Sequence, residues 1–178
     1  FGRQAASYAG SDIHSGDASL DALVEYAALG RYSVAVDLGS GAGFTAFALA
    51  DYATRVLATD IAPQMVAEAG RLATARGLTG VGLALVEAES LPFAAGSLDL
   101  VSSRWAAHHF HGLPAAVGEI RRVLRSGAPF ILVDTVAPES EREATWMNRV
   151  ERLRDASHQR NLTASEWRQL LEGLGFVI

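Results

Sequence analysis

The sequence predicts an α/β fold, a doubly wound and mostly parallel sheet flanked by helices. Three observations carry this. Short β-branched runs alternate with segments of helical period along the chain. The first run ends in a loop with three spaced glycines, Gly39, Gly41 and Gly43. The first two runs also close on carboxylates, Asp37 and Asp60.

Taken in order, Ser19–Leu29 reads as an amphipathic helix ahead of the sheet. Strands are expected at Ser33–Leu38, Arg55–Thr59, Gly82–Glu87, Leu98–Ser102 and Pro129–Val133. Helices are expected at Phe44–Tyr52, Pro63–Arg76 and Leu113–Leu124. Pro63 and Pro114 stand near helix starts, where a missing N–H costs nothing, and Gly77 and Gly127 stand just past helix ends. Two further helices follow, Glu139–Ser157 and Ser165–Leu174. No full capping box is read at Ser165, although Glu166 favours the first turn. Gly175 to Ile178 read as the opening of a strand. Both ends look cut.

One domain over 1–178 is expected. Residues 1–30 would form a lid and helix, 31–135 the core, and 136–178 helices that cover a substrate. The chain has 178 residues and a net charge of −5 without a like-charge block, which speaks against a nucleic-acid partner. It has no cysteine, so disulfides and thiolate chemistry are excluded. Its longest apolar run is too short to span a bilayer, and no signal-peptide pattern is seen. A cytoplasmic monomer or homodimer is the expectation.

The glycine loop, with Ser40 between its first two glycines, lets backbone approach a ligand. Dinucleotide sites present helix N–H groups to a pyrophosphate here. Asp37 would repel that anion but suits a cationic ligand such as S-adenosylmethionine (AdoMet). Asp60 can accept from both ribose hydroxyls or cap the helix at Pro63, and the two roles are compatible. Glu87 is placed to accept from an adenine amino group, Ala88 to donate its backbone N–H to the ring, and Ile61 to pack on its face. Glu87 can equally be a solvated carboxylate.

VAVDLGSGAGFTA, ATDIAPQMV, EAESLPFAAGSLDLVSSRWAAHHF and VLRSGAPFILVDTVAPE resemble, in order and spacing, the motifs of class I AdoMet-dependent methyltransferases. The likeness is to the ubiquinone/menaquinone-biosynthesis type and its small-molecule relatives. The resemblance implies a final strand hairpin, here expected to be truncated or missing, and AdoMet as cofactor. It places the glycine loop at the methionine end, Asp60 on the ribose, and Glu87 and Ala88 on the adenine. Most relatives carry Asp where this chain has Glu87. The N-terminal stretch would be a lid with Tyr8, Ser11 and His14 facing the site.

At the carboxyl edge after the fourth strand stand Arg104, Trp105, His108, His109 and His111. His109 is the first candidate for a general base, with His108 and Arg104 beside it; the histidines can equally cap or pack the loop. Arg104 is a candidate cofactor contact as well. No metal site is expected, since no further ligand stands at coordinating spacing. Asp134 is expected at the pocket mouth, and Trp146, Met147 and Val150 over the acceptor. Arg152 to Arg160 can bind a substrate or form solvated ion pairs. The expected reaction is methyl transfer from AdoMet to a small, largely apolar acceptor, aromatic or quinone-like. A non-catalytic AdoMet-binding scaffold is the alternative. A nicotinamide oxidoreductase is disfavoured by Asp37 and by the lack of any lysine.

Overall fold

The computed structural model describes residues 18–178. Helix α1 (Ala18–Ala27) leads into β1 (Tyr32–Leu38), α2 (Phe44–Leu49), β2 (Ala53–Asp60), α3 (Pro63–Ala75) and β3 (Val81–Leu85). Then follow β4 (Leu100–Arg104), a 3₁₀ turn (Ala107–His109), α4 (Leu113–Val123), β5 (Phe130–Val133), α5 (Glu141–Arg154) and α6 (Ala164–Gly173). The strands form one sheet in the order β3-β2-β1-β4-β5, with every pairing parallel.

Side chains of a strand alternate between faces, and the two cores follow that period. Ala35, Val56, Ala58, Leu100 and Ile131 share one core with Leu23, Ala27, Ala46 and Leu49 of α1 and α2. Val36, Leu38 and Val101 share the other with Ile120 and Val123 of α4. Each such aliphatic side chain contributes about 1.5–3 kcal/mol by leaving water. α6 closes this second side, where Trp167 packs with Val117, Leu162 and Ala107.

The chain runs outward from β1 to β2 and β3, then crosses back to β4 on the other side of β1. That reversal leaves a crevice at the carboxyl ends of β1 and β4, where open α/β sheets bind ligands. Residues 86–99, which make the crossing, carry no helix. They are held by α4 instead: Glu119 accepts from the Leu91 amide at 2.8 Å, and Arg122 donates to the Phe93 and Leu91 carbonyls.

Several boundaries differ from expectation. α5 stops at Arg154, short of Ser157, because Asp155 turns out of the helix and caps the Ser157 amide and hydroxyl. α6 does carry a full capping box, two residues earlier than Ser165: the Thr163 hydroxyl accepts from the Glu166 amide and Glu166 accepts from the Thr163 amide. Leu98 forms only an isolated bridge to Leu124. Phe176 to Ile178 are not strand; Phe176 instead packs on Phe130, with ring centroids 5.9 Å apart. Tyr8, Ser11, His14 and the rest of the expected lid before Ala18 lie outside the described residues. No helix among the described residues is long and apolar enough to cross a membrane.

Candidate active site

A cleft of about 540 Å³ opens at the β1/β4 reversal. One half is made by the ends of β1 and β2. Gly39, Gly41 and Gly43 take φ of +66°, +53° and +93°, the left-handed region that favours glycine. A Cβ on Gly39 would come 2.4 Å from the Ala106 Cβ, so this glycine lets β1 and the β4 loop meet. A Cβ on Gly41 would meet nothing within 4 Å and would stand in the cleft itself. The loop is cross-braced by the Ser40 amide on the Thr59 carbonyl at 2.8 Å.

Asp60 holds the floor of this half. Its Oδ2 accepts from the Gly41 amide at 2.9 Å and its Oδ1 from the Ala62 amide at 2.8 Å. It therefore shapes both the glycine loop and the entry to α3. Burial raises its pKa despite those amides. Each oxygen keeps a lone pair for a hydroxyl donor. Ile61, more than half exposed, and Ala88 line the same half.

Two expected contacts sit elsewhere. Asp37 does not line the cleft; it lies beneath it, 1% exposed, because its side chain points to the α2 face of the sheet. Its Oδ1 accepts from the Ser102 hydroxyl at 2.6 Å, and its Oδ2 has no hydrogen-bond partner among the described residues. Burial pushes its pKa up to about 7 against the pull of Ser102 and Arg104. Glu87 also misses the wall: it is exposed two residues past the end of β3, and Glu89 lines the cleft in its place. Glu89 accepts from the Gly112 amide at 2.9 Å.

The other half begins at the end of β4. Arg104 lines the cleft with its guanidinium bonded to the Thr45 and Ser19 hydroxyls, each at 3.0 Å, and 4.7 Å from the Trp105 ring centre. Trp105 itself has φ +54°, a strained conformation for a bulky residue. That turn sends the following 3₁₀ helix across the crevice, where His108, His109 and Phe110 face it. Thr135, Ser157, His158 and Asn161 complete this wall.

His108 Nδ1 lies 2.5 Å from Asp134 Oδ1, and the same carboxylate accepts from the His108 and Thr135 amides. Asp134 is thus not at the mouth: its side chain is 2% exposed behind the imidazole. His109 Nδ1 meets the Ser157 hydroxyl at 3.2 Å, and that hydroxyl donates to Asp155 at 2.6 Å. Burial and the neighbouring His108 push the His109 pKa down to about 4. His158 is lowered too, by burial and His108.

The segment 155–161 hangs on this corner. The Gln159 and Arg160 amides both donate to the His108 carbonyl. Asn148, buried in α5, donates to the Asn161 carbonyl and accepts from the Asn161 amide and from His158 Nε2. Glu151 and Arg154, paired at 2.5 Å, are what α5 gives to the cleft. Trp146, Met147 and Val150 do not line it, and Trp146 is 69% exposed. Among the described residues, no group of three or more His, Cys, Asp or Glu is arranged to hold a metal.

Residues 36–132, more than half of the chain, match the family model described as a methyltransferase domain. This chain belongs to the methyltransferase domain family. Along 170 residues the domain is 35% identical to the uncharacterized methyltransferase YcgJ of Bacillus subtilis, covering 96% of this chain and 67% of that protein. The YcgJ crystal structure superposes with a TM-score of 0.86 at 36% identity, over 89% of this chain and 68% of that one. A protein from Bacillus halodurans C-125 gives a TM-score of 0.85 at 34% identity, over 90% and 69%. The demethylmenaquinone methyltransferase of Thermus thermophilus is 35% identical over 105 residues, 58% of this chain and 47% of that protein. The domain thus spans about two thirds of YcgJ and less than half of the Thermus relative.

The fold and the family are those of class I methyltransferases, and AdoMet is the cofactor. The cleft fits such a group: the space a Cβ on Gly41 would fill is open, and Asp60 presents spare lone pairs beside it. AdoMet supplies a methyl group on a positively charged sulfur.

Proposed function

We propose that this methyltransferase domain methylates a small molecule with an aromatic or quinone-like body and a hydroxyl or carbonyl at the reacting end. The observation that carries the reading is the continuity of the cleft. One space of about 540 Å³, the size of a small-molecule site, runs from Asp60 and the glycine loop to the histidine-lined wall. In this reading Asp60 binds the ribose diol, Gly39 to Gly41 accommodate the methionine end by their backbone, and Ile61 packs on the adenine. Arg104 fixes the boundary between the two halves. Trp105 and Phe110 give the acceptor an apolar surface, and Thr135, Ser157 and Asn161 give it polar anchors. The work of the protein is to hold the acceptor atom in line with the transferred methyl and to keep water out.

The menaquinone-related name of the Thermus relative supports an acceptor of this kind. The net charge of −5 supports a small molecule over nucleic acid.

Calorimetry tests the cofactor assignment. AdoMet and its demethylated product bind without metal, NAD does not, and Asp60→Ala weakens binding by about 1.5–3 kcal/mol, the worth of charge-assisted hydrogen bonds. Unchanged affinity in a folded Asp60→Ala protein contradicts it. Turnover over a panel of catechols, naphthols and quinols tests the acceptor class, and efficient methylation of RNA or protein overturns it.

A further inference from the structure

The acceptor wall contains a buried carboxylate that the binding roles above leave unused. Asp134 stands at the end of β5 with its side chain 2% exposed, and both of its oxygens are engaged. Oδ2 takes the His108 amide, and Oδ1 takes the Thr135 amide and His108 Nδ1. The contact at Nδ1 is 2.5 Å, a short hydrogen bond between an imidazole nitrogen and a carboxylate oxygen. Two bonds from one carboxylate to one residue fix both the backbone and the ring of His108. An ionised carboxylate only accepts, so the ring proton resides on Nδ1. Nε2 is then the lone-pair nitrogen, on a ring that lines the cleft, with no hydrogen-bond partner among the described residues.

His109, its neighbour in sequence, is placed differently. The Ser157 hydroxyl gives its proton to Asp155, so His109 Nδ1 must be the donor to Ser157. Its partner is a neutral hydroxyl, and its depressed pKa makes it a weak base. The two rings are 4.0 Å apart, so only one can conveniently become charged.

We propose that His108 is the general base of the transfer, with Asp134 as its positioning residue, and that the acceptor presents an ionisable hydroxyl or enol at the atom to be methylated. This rests on the methyl-transfer reading. The acceptor X–H bond breaks with its proton passing to His108 Nε2. The freed pair forms the X–CH₃ bond, while the sulfur–methyl bond breaks and its pair stays on the sulfur, leaving a neutral thioether. The imidazolium then returns its proton to solvent. Asp134 holds the tautomer and balances the charge the ring gains, as the carboxylate does in a hydrolase triad. The other charged or titratable groups that line the cleft with His108 are Asp60 and Glu89, Arg104 at the end of β4, His109 and His111 on and just after its own turn, and Glu151, Arg154, Asp155 and His158 on α5 and the loop after it.

Proton capture can be read without turnover. The probe is 4-nitrocatechol, whose phenolate has its own visible absorption, added to protein saturated with the demethylated cofactor product near pH 6. The phenolate-to-phenol ratio of bound probe should exceed that of free probe about tenfold, the effect of one adjacent positive charge. His109→Gln should retain the excess, His108→Gln should abolish it, and Asp134→Asn should reduce it several-fold. Affinity for the cofactor product, unchanged in all three, shows that the fold is intact. Should His108→Gln misfold, Asp134→Asn with Asp134→Glu as partial rescue reads the same chemistry with the ring in place. A wild-type protein that does not bind or does not ionise the probe overturns the proposal, as does ionisation that survives loss of His108 or vanishes with His109. Failure of the methyl-transfer reading would instead appear as lost AdoMet binding or as methylation confined to macromolecules.

Discussion

The two halves of the cleft are built in different ways. The cofactor half is local: a glycine loop and Asp60, one at the end of each of two adjacent strands, braced by backbone hydrogen bonds of at most 2.9 Å. The half that the proposed reading gives to the acceptor is assembled from three distant stretches, residues 104–110, 134–135 and 155–161, tied together by side chains and by amides bonded to the His108 carbonyl. A site made of short-range backbone geometry tolerates little change in any of its parts. A site made of long-range ties can loosen at one tie while its neighbour stays intact. In the proposed reading the difference matches what the halves do, one holding a cofactor common to the family and the other an acceptor that distinguishes its members.

The largest expected effect comes from joining the halves by force. Gly39→Val places a Cβ 2.4 Å from the Ala106 Cβ at a φ of +66°. It should destabilise the domain by about 2–5 kcal/mol and abolish binding of the demethylated cofactor product. Denaturant melts and calorimetry check it; a stable, binding-competent variant would show that the loop is not held as described.

A smaller effect separates the halves. Asn148→Ala removes four hydrogen bonds of a buried amide and leaves the Asn161 backbone unpaired. A loss of about 1–3 kcal/mol is expected, concentrated in the 155–161 segment, with cofactor affinity within twofold of wild type. Hydrogen exchange should show lost protection there and not in the glycine loop. Equal loss in both places would mean that the two halves form one unit.

A further effect is a pair of pH slopes of opposite sign, one from His109 in the cleft wall and one from Asp37 beneath the cleft. His109, lowered from 6.5 to about 4, is neutral in the folded protein while the unfolded chain takes up a proton. Its contribution is present above 6.5 and is lost as pH falls through that window. Asp37, raised from 3.8 to about 7, keeps a proton that the unfolded chain has released. Its contribution is present below 3.8 and is lost as pH rises toward 7. Relative to wild type, Asp37→Asn should therefore gain stability with rising pH, and His109→Gln should gain it with falling pH. Urea melts between pH 4.5 and 7 read both slopes, and parallel curves for all three proteins would refute the pair of assignments.

The same contrast explains what could be read in the sequence. Alternating runs, the glycine loop and Asp60 are contiguous patterns with a fixed period, and they specified the parallel sheet and half of the site. Asp37 was placed in the cleft because strand ends were read without asking which face residue 37 takes; its alternation with Val36 and Leu38 sends it under the floor. Glu87 was read as a strand-end contact, yet β3 stops at Leu85. The HHF segment lines the second half of the cleft, as its place after β4 suggests. Sequence alone could not show that Asp134 backs His108 while Ser157 takes His109, because those partners lie 26 and 48 residues away. Asn148 carried no signal at all: an amide in a charged helix looks like surface. The capping box at α6 was legible, since Thr163 precedes Glu166 by three, but the helix start was sought at Ser165.

The left-handed backbone of Trp105 bears on how this domain can change over generations. Glycine is what that peptide geometry would favour by itself, and the indole persists at a conformational cost of about 1–3 kcal/mol. The ring stacks on the Arg104 guanidinium and borders the space where the acceptor is bound in the proposed reading. Selection for thermal robustness and selection for acceptor recognition therefore pull residue 105 in opposite directions. Lineages that diverge in acceptor have a route open there: relaxing the turn to glycine gives back folding stability, enlarges the pocket and frees the loop that carries the histidines, all in one substitution.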